Sequence, residues 1–200
     1  DVLRRAREGE PLYWGLDVVF WETEKDDLLT PNARAELRGH AQAFVSGVYR
    51  DLEQRQPRAD RLQQMSWMEL SNRLPELLLM RVDKISMAQS IEARAPFLDA
   101  DLVSYGLSLP SRLKIKGPGQ TKLVLKQALR QVLPESVLTR KKQGFRVPLP
   151  EWLRGPLAGW ARRQTQDSPI MRRGIFRPGF VEEMWSSHAS GARDHSFDLW

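Results

Sequence analysis

Along the chain, apolar positions recur at three- and four-residue spacing rather than alternating, so the pattern predicts helices and no strand. The residues up to Glu10 are charged and weakly helical, and Pro11 to Trp21 (PLYWGLDVVFW) is a dense aromatic and aliphatic patch broken by Gly15 and Asp17. Such a patch calls for cover, and packing against an N-terminal portion of a larger domain explains it better than an exposed interaction surface. Thr30-Pro31 marks a capped start, and Ala33, Leu37, Phe44, Val48 and Leu52 predict one long helix to about Arg55. Gln56-Pro57-Arg58 breaks it. Asp60 opens a second helix, whose Leu62, Met65, Met68 and Leu70 run toward Leu74 before Pro75 restarts a third. Trp67 and its neighbouring methionines read as core.

In that third helix Leu78, Val82 and Ile85 share one face, expected to pack, while Asp83, Ser86 and Ser90 share another. The polar stripe is either solvated surface or the wall of a cleft. Beyond it, Pro96 pushes the preceding residues into extended backbone, which sends Glu92 and Arg94 to the same side as a carboxylate–guanidinium pair. That pair either fixes a turn or orients a ligand. Asp99 can cap a short helix carrying Leu102, Val103, Tyr105, Gly106 and Leu107, ended by Pro110. Lys114 to Gly119 follows as a loop, then Thr121 to Val132 as a basic amphipathic helix and Pro134 to Leu138 as one more turn. Thr139 to Pro150, with Gly144, Pro148 and Pro150, is a shaped loop. Trp152 to Arg163 and Pro178 to Ser190 resume helices, the second with Phe180, Val181, Met184 and Trp185 on its apolar face. The fold class is mainly α.

Composition changes this picture in few places. The apolar fraction of 41% and charged fraction of 28% suit a soluble globular protein. The chain contains no cysteine, which removes disulfides, thiolate metal sites and a cysteine nucleophile. Without a signal-like segment or an apolar run near twenty residues, secretion and membrane spanning have no support, and a cytoplasmic location is the default expectation. The chain opens Asp1-Val2-Leu3 and closes at Leu199-Trp200 inside an amphipathic pattern, which reads as a piece of a longer chain.

The charge matters more for its placement than its sum. The net charge is +6, with 31 basic residues against 25 acidic ones, too balanced to argue for nucleic acid. Between Arg112 and Arg146, however, Arg112, Lys114, Lys116, Lys122, Lys126, Arg130, Arg140, Lys141, Lys142 and Arg146 face the single acid Glu135, so an anionic ligand is expected nearby. Within that segment Lys141 and Lys142 sit beside Gly144, whose conformational freedom lets the loop turn a lysine inward, with Phe145 and Pro148 to anchor it. Gly117-Pro118-Gly119-Gln120-Thr121-Lys122 lacks the spacing of a phosphate-binding loop and follows no strand. His40, His188 and His195 show no metal-ligand spacing and read as surface or packing residues.

Taken together, Asp83-Lys84-Ile85-Ser86-Met87-Ala88 and Ser90-Ile91-Glu92-Ala93-Arg94-Ala95-Pro96-Phe97-Leu98-Asp99 closely resemble the glutamine-hydrolysing asparagine synthetase family. Leu109-Pro110 with Lys114-Ile115-Lys116, Thr121-Lys122 with Leu125-Lys126, and Arg140 to Leu149 with Glu151-Trp152-Leu153 agree in order with its synthetase domain. The resemblance runs from about Pro11 to Trp200. It implies that residues 1–200 are the helical C-terminal portion of an α/β synthetase domain, Rossmann-like and of the ATP-pyrophosphatase type, with no glutaminase domain present.

The implied reaction is ATP-dependent amide formation. Aspartate's side-chain carboxylate attacks the α-phosphate of ATP, pyrophosphate leaves, and ammonia drawn from glutamine displaces AMP from the acyl-adenylate, with Mg2+ accompanying the nucleotide. Lys142 occupies the lysine of what is usually Arg-Pro-Lys-Gln-Gly-Phe, and Lys141 replaces the proline, so either ammonium can reach the phosphates. Arg94 is implied to orient a substrate carboxylate, with Glu92 and Asp83 fixing it or contacting the amine. The family's Ser-Gly-Gly-x-Asp-Ser pyrophosphate loop does not occur in these residues, so the 200 residues alone are expected to be inactive and to bind neither ATP nor Mg2+. Relatives that amidate another carboxylate, such as a surface-polysaccharide sugar, and a non-catalytic interaction module are the alternatives. A homo-oligomer is left open; neither nucleic acid nor membrane is expected as a partner.

Overall fold

The computed structural model describes residues 2–16, 18–144 and 147–200. Asp17, Phe145 and Arg146, to which the sequence pattern assigned a break, a loop anchor and a basic charge, lie outside the described residues. The described residues form helices throughout, with one two-stranded antiparallel hairpin. They divide into two units, residues 1–47 with 145–200 and residues 48–144, the first boundary falling inside the helix His40–Arg55.

In the first unit, main-chain bonds across a long sequence separation bring two distant stretches together. Thr30 N–H donates to the Ile175 carbonyl at 2.9 Å, and Arg177 N–H donates to the Leu28 carbonyl at 2.8 Å. The Thr30 hydroxyl donates to the Gly174 carbonyl at 2.7 Å instead of capping the helix Pro31–Leu37. The expected cap is thus spent on a tertiary contact. Beside this tie lies the core: Leu28, Leu29, Leu149, Leu153, Ala161, Val181, Met184 and Trp185 are buried together. Val181, Met184 and Trp185 come from the helix Pro178–Ser190, which has the predicted bounds and ends on Gly191 in a left-handed conformation.

The same unit buries an arginine. Arg5, on the helix Val2–Arg7, is fully inaccessible, with its guanidinium carbon 4.6 Å from the Trp14 ring centroid and 5.1 Å from that of Trp21. Its Nη1 donates to the Leu12 carbonyl at 3.2 Å, and Trp14 Nε1 donates to the Pro11 carbonyl at 2.9 Å. The aromatic stretch therefore covers a cation from within the chain, while Leu16 and Val19 remain exposed.

His188 is also fully buried. Its Nδ1 accepts from the His195 main-chain N–H at 3.2 Å, so the ring is held unprotonated at that nitrogen, and Arg154 Nε donates to the His188 carbonyl at 2.8 Å. Burial first, then the Arg154 charge, lowers its pKa below the ordinary 6.5, against the opposing pull of Asp194 at 3.5 Å. His188 and His195 are packing residues, as the sequence suggested.

The second unit departs further from the expected elements. Asp60 caps the helix Arg61–Met68 by accepting from Gln63 N–H at 2.9 Å while Gln63 returns a bond to Asp60 N–H at 2.8 Å. From there the helical path does not stop at Pro75. Glu69–Leu79 is a π-helix with Pro75 inside it, and Met80–Met87 continues as α. The wider π turn relieves the clash between the proline ring and the preceding turn that would break an α-helix. Upstream, the single long helix expected from Pro31 to Arg55 is two, Pro31–Leu37 and His40–Arg55, because Gly39 turns with φ 77°.

Asp99 caps Ala100–Ser108 through bonds from Asp101 and Leu102 N–H, both 3.1 Å. The predicted loop at Lys114–Gly119 instead contains a strand, Ile115–Gly117, paired with Gln120–Thr121 through a bulge, with Gly119 at φ 74° in the turn. The basic helix shortens to Leu123–Ala128. Arg140 to Gly144 hold no regular structure, in keeping with the shaped loop, but that loop is shorter than expected: Thr139 ends the helix Glu135–Thr139, and Leu149 and Pro150, a proline tolerated in a first helical turn, open the helix Leu149–Arg154.

Two outcomes follow from the first unit. Arg5→Ala is expected to cost about 2–4 kcal/mol in chemical denaturation, because it removes the ring contacts and leaves a cavity beside the Leu12 carbonyl, which loses its guanidinium donor. Arg5→Lys, lacking the planar fork, is expected not to restore it, and an unchanged midpoint in both would refute this role. For His188, a native pKa below the unfolded value means the unfolded chain takes up a proton first as pH falls below about 6.5. Stability present above that pH is lost toward the native pKa. The urea midpoint is therefore expected to fall from pH 7 to pH 5.5, with a smaller fall in His188→Gln.

Candidate functional site

All four residues singled out from the sequence lie in the second unit. Asp83 sits on Met80–Met87, where the Ser86 hydroxyl donates to the Asp83 carbonyl at 3.2 Å, and its side chain faces solvent. Past the helix, Ser90 adopts φ 59° and Ile91 N–H donates to the Ser86 carbonyl at 3.0 Å, a turn that ends the helix and sends the chain out extended. On that extended stretch Glu92 Oε1 and Arg94 Nη2 meet at 2.6 Å, both side chains largely exposed at 62% and 82%. The period of two expected for extended backbone brings them to one side.

Lys142 is exposed in the irregular stretch after the helix Glu135–Thr139, with Lys141 beside it. Among the described residues, the direct polar contact within this set is the one between Glu92 and Arg94. Asp83 and Lys142 are placed on the same unit without being joined to that pair. The arrangement offers an exposed cationic loop and a guanidinium of which the ion pair engages one nitrogen, chemistry suited to carboxylates and phosphates.

The apolar stripe beside Asp83 does not pack as expected. Leu78, Val82 and Ile85 are 44%, 52% and 70% exposed, and Met87, Ile91 and Phe97 are exposed as well. Periodicity identifies which residues share a face but not whether a surface exists to receive it.

Lys114 also departs from its sequence reading. Its Nζ donates to the Leu107 carbonyl at 3.3 Å, and burial lowers its pKa against the opposing pull of Asp60. Asp60 is held below the usual carboxylate range by the neighbouring Ser111 hydroxyl first, then by the main-chain N–H groups of Gln63 and Leu62, with Lys114 adding to the effect. Lys114 therefore belongs to the fold at the foot of the hairpin, not to the anion-facing set. The signal for this pair was available only as the Asp60 cap, since nothing local links residues 60 and 114.

Among the described residues, no group of three or more His, Cys, Asp or Glu side chains is arranged to hold a metal ion. Nor is any helix among them long and apolar enough to cross a membrane.

Comparison with known proteins matches residues 7–200 to the family model described as asparagine synthase. Asparagine synthetase [glutamine-hydrolyzing] 1 of Bacillus subtilis is 32% identical over 191 residues, covering 94% of this chain and 28% of that protein. A putative asparagine synthetase [glutamine-hydrolyzing] of Mycobacterium bovis is 37% identical over 142 residues, or 70% of this chain and 21% of that protein. The enzyme of that name from Gallus gallus is 40% identical over 77 residues, 36% of this chain and 14% of its own length. The chain thus spans less than a third of the length of these relatives. No solved structure matches it. With the family model spanning nearly all of its residues, the chain belongs to the asparagine synthase family.

Proposed function

We propose that the protein contributes one wall of an ATP-dependent carbon–nitrogen ligase site that converts aspartate to asparagine. The observation that carries this reading is the match along 94% of the chain to a glutamine-hydrolysing asparagine synthetase, together with the exposed Glu92–Arg94 pair and Lys142 at the positions the family pattern marks.

The aspartate side-chain carboxylate attacks the α-phosphorus of ATP; the bond from that phosphorus to the bridging oxygen breaks and pyrophosphate leaves. Ammonia, supplied from glutamine, then adds to the acyl carbon and AMP departs with the carboxyl oxygen. Charge grows on the phosphoryl oxygens in the first step, and a preorganised ammonium there lowers the barrier by several kcal/mol. Lys142 supplies that ammonium. Arg94 holds a substrate carboxylate through its planar fork, Glu92 keeps the guanidinium oriented, and Asp83 meets the substrate amine.

Mg2+ would accompany the nucleotide phosphates, a role that needs few protein ligands. The described residues present no acidic cluster to hold it, and none of the steps above is assigned to it. A cytoplasmic setting, where ATP and aspartate are abundant, suits this chemistry.

In the native polypeptide that carries these residues, Lys142→Ala is expected to lower aspartate-dependent ATP–pyrophosphate exchange roughly a hundredfold or more while glutamine hydrolysis continues. Lys141→Ala is expected to leave the exchange within a few-fold of its starting value. Normal exchange in the Lys142 variant would remove that residue from the reaction. For the pair, Arg94→Lys is expected to raise the KM for aspartate more than it lowers kcat, and an unchanged KM would restrict Arg94 to shaping the turn.

A further inference from the structure

The helices Val2–Arg7, Met80–Met87 and Pro178–Ser190 are each followed within three residues by a left-handed position: Gly9 at φ 69°, Ser90 at φ 59° and Gly191 at φ 76°. At Ser90 the closure is complete, with Ser90 N–H donating to the Met87 carbonyl at 2.9 Å and Ile91 N–H to the Ser86 carbonyl at 3.0 Å. Glycine is the usual occupant of such a position because it has no Cβ to disfavour it. Serine has one, and its side chain offers no compensation: among the described residues the Ser90 hydroxyl makes no hydrogen bond.

The three exits differ in what holds them. Past Gly9, Glu10 meets Arg4 at 3.1 Å, and past Gly191, His195 and Ser196 are buried. Those paths are fixed by contacts, so a residue with wide freedom in φ serves there. Past Ser90, Ile91, Glu92 and Arg94 are all exposed. The 2.6 Å contact of Glu92 with Arg94 joins two side chains of the same short stretch and moves with it, so it does not set the direction of that stretch. An L-residue has only a small left-handed region, about φ +50 to +70°, whereas glycine ranges widely around it.

We propose that Ser90 is a positioning residue, whose narrow left-handed well fixes the line along which Glu92 and Arg94 leave the helix Met80–Met87. This role rests on Arg94 holding a substrate carboxylate, as proposed above. It assigns the aim of that guanidinium to the turn before it, through backbone conformation and not through the serine hydroxyl.

The test uses the native polypeptide that carries these residues and reads the KM for aspartate and kcat in ATP–pyrophosphate exchange. Asparagine enters the left-handed region readily, and the β-branched Thr and Val enter it least. Ser90→Thr and Ser90→Val are therefore each expected to raise the KM roughly tenfold, with kcat within about threefold. Ser90→Asn is expected to stay within about twofold of the unsubstituted KM, and Ser90→Gly to rise about three- to fivefold. This order separates conformation from side-chain chemistry, because threonine keeps the hydroxyl and asparagine loses it. In an Arg94→Ala background, Ser90→Thr is expected to leave the KM unchanged, since no guanidinium remains to be aimed. Circular dichroism checks that each variant folds; should Ser90→Thr and Ser90→Val both fail to fold, Ser90→Gly decides, and an unchanged KM in it overturns the proposal.

Three further results overturn it. These are an unchanged KM in folded Ser90→Thr and Ser90→Val, a KM in Ser90→Asn that rises as far as theirs, or a KM that Ser90→Thr still raises in the Arg94→Ala background. Each of them removes Ser90 and leaves Arg94 in place. If Arg94→Ala alone leaves the KM unchanged, the reading of Arg94 falls, and the role of Ser90 falls with it.

Discussion

The first unit depends on closing a long loop. Joining Thr30 to Gly174 and Ile175 brings together residues about 145 positions apart, and loop closure over that length costs at least about 4 kcal/mol in chain entropy. A few hydrogen bonds, each worth about 1 kcal/mol net, do not offset that cost. The burial of Leu28, Leu29, Leu153, Met184 and Trp185 beside the tie does, since each large side chain contributes roughly 1.5–3 kcal/mol. The hydrogen bonds set the register and the apolar cluster holds it.

The second unit has the opposite character, and this bears on its chemistry. An ion pair exposed to water, such as Glu92–Arg94, contributes at most about 1 kcal/mol. The same pair, or the ammonium of Lys142, becomes a strong electrostatic device only where water is excluded and the effective dielectric is low. A cover over the apolar residues interspersed with Asp83, Glu92 and Arg94 would change both terms together. It would bury Val82, Ile85 and Phe97, and it would dry the surroundings of the charged groups.

The sequence made local decisions legible and tertiary ones much less so. Asp60 and Asp99 announced their helices because an N-cap acts on the next three residues, and Gly191 ends Pro178–Ser190 for an equally local reason. Gly39 was overlooked because Leu37 and Phe44 keep a helical period across it, although both are exposed and the buried positions are Val45 and Leu52. Pro75 misled because its usual effect assumes α geometry, which the π-helix Glu69–Leu79 replaces. Thr30 and Lys114 took partners remote in sequence, Gly174 in one case and Leu107 with Asp60 in the other, which no local pattern encodes. Spacing and charge raised the four candidate residues, and the family pattern gave them their roles. Spacing alone placed Glu92 beside Arg94 and left Asp83 undecided between surface and site.

Local strain helps to aim that pair. Ser90 and Lys122 are the non-glycine residues at positive φ among those described, both at 59°, a conformation costing an L-residue roughly 1–2 kcal/mol. At Ser90 the cost is tied to a specific geometry: Ser90 N–H donates to the Met87 carbonyl and Ile91 N–H to the Ser86 carbonyl, so the helix closes within one turn. A glycine would make the same turn with less strain, but the exit direction would then rest on a residue free to leave it. With serine confined to a narrow left-handed well, the chain departs along one path, and two and four residues later Glu92 and Arg94 project from it side by side. The helix end, more than the ion pair itself, orients these two charges.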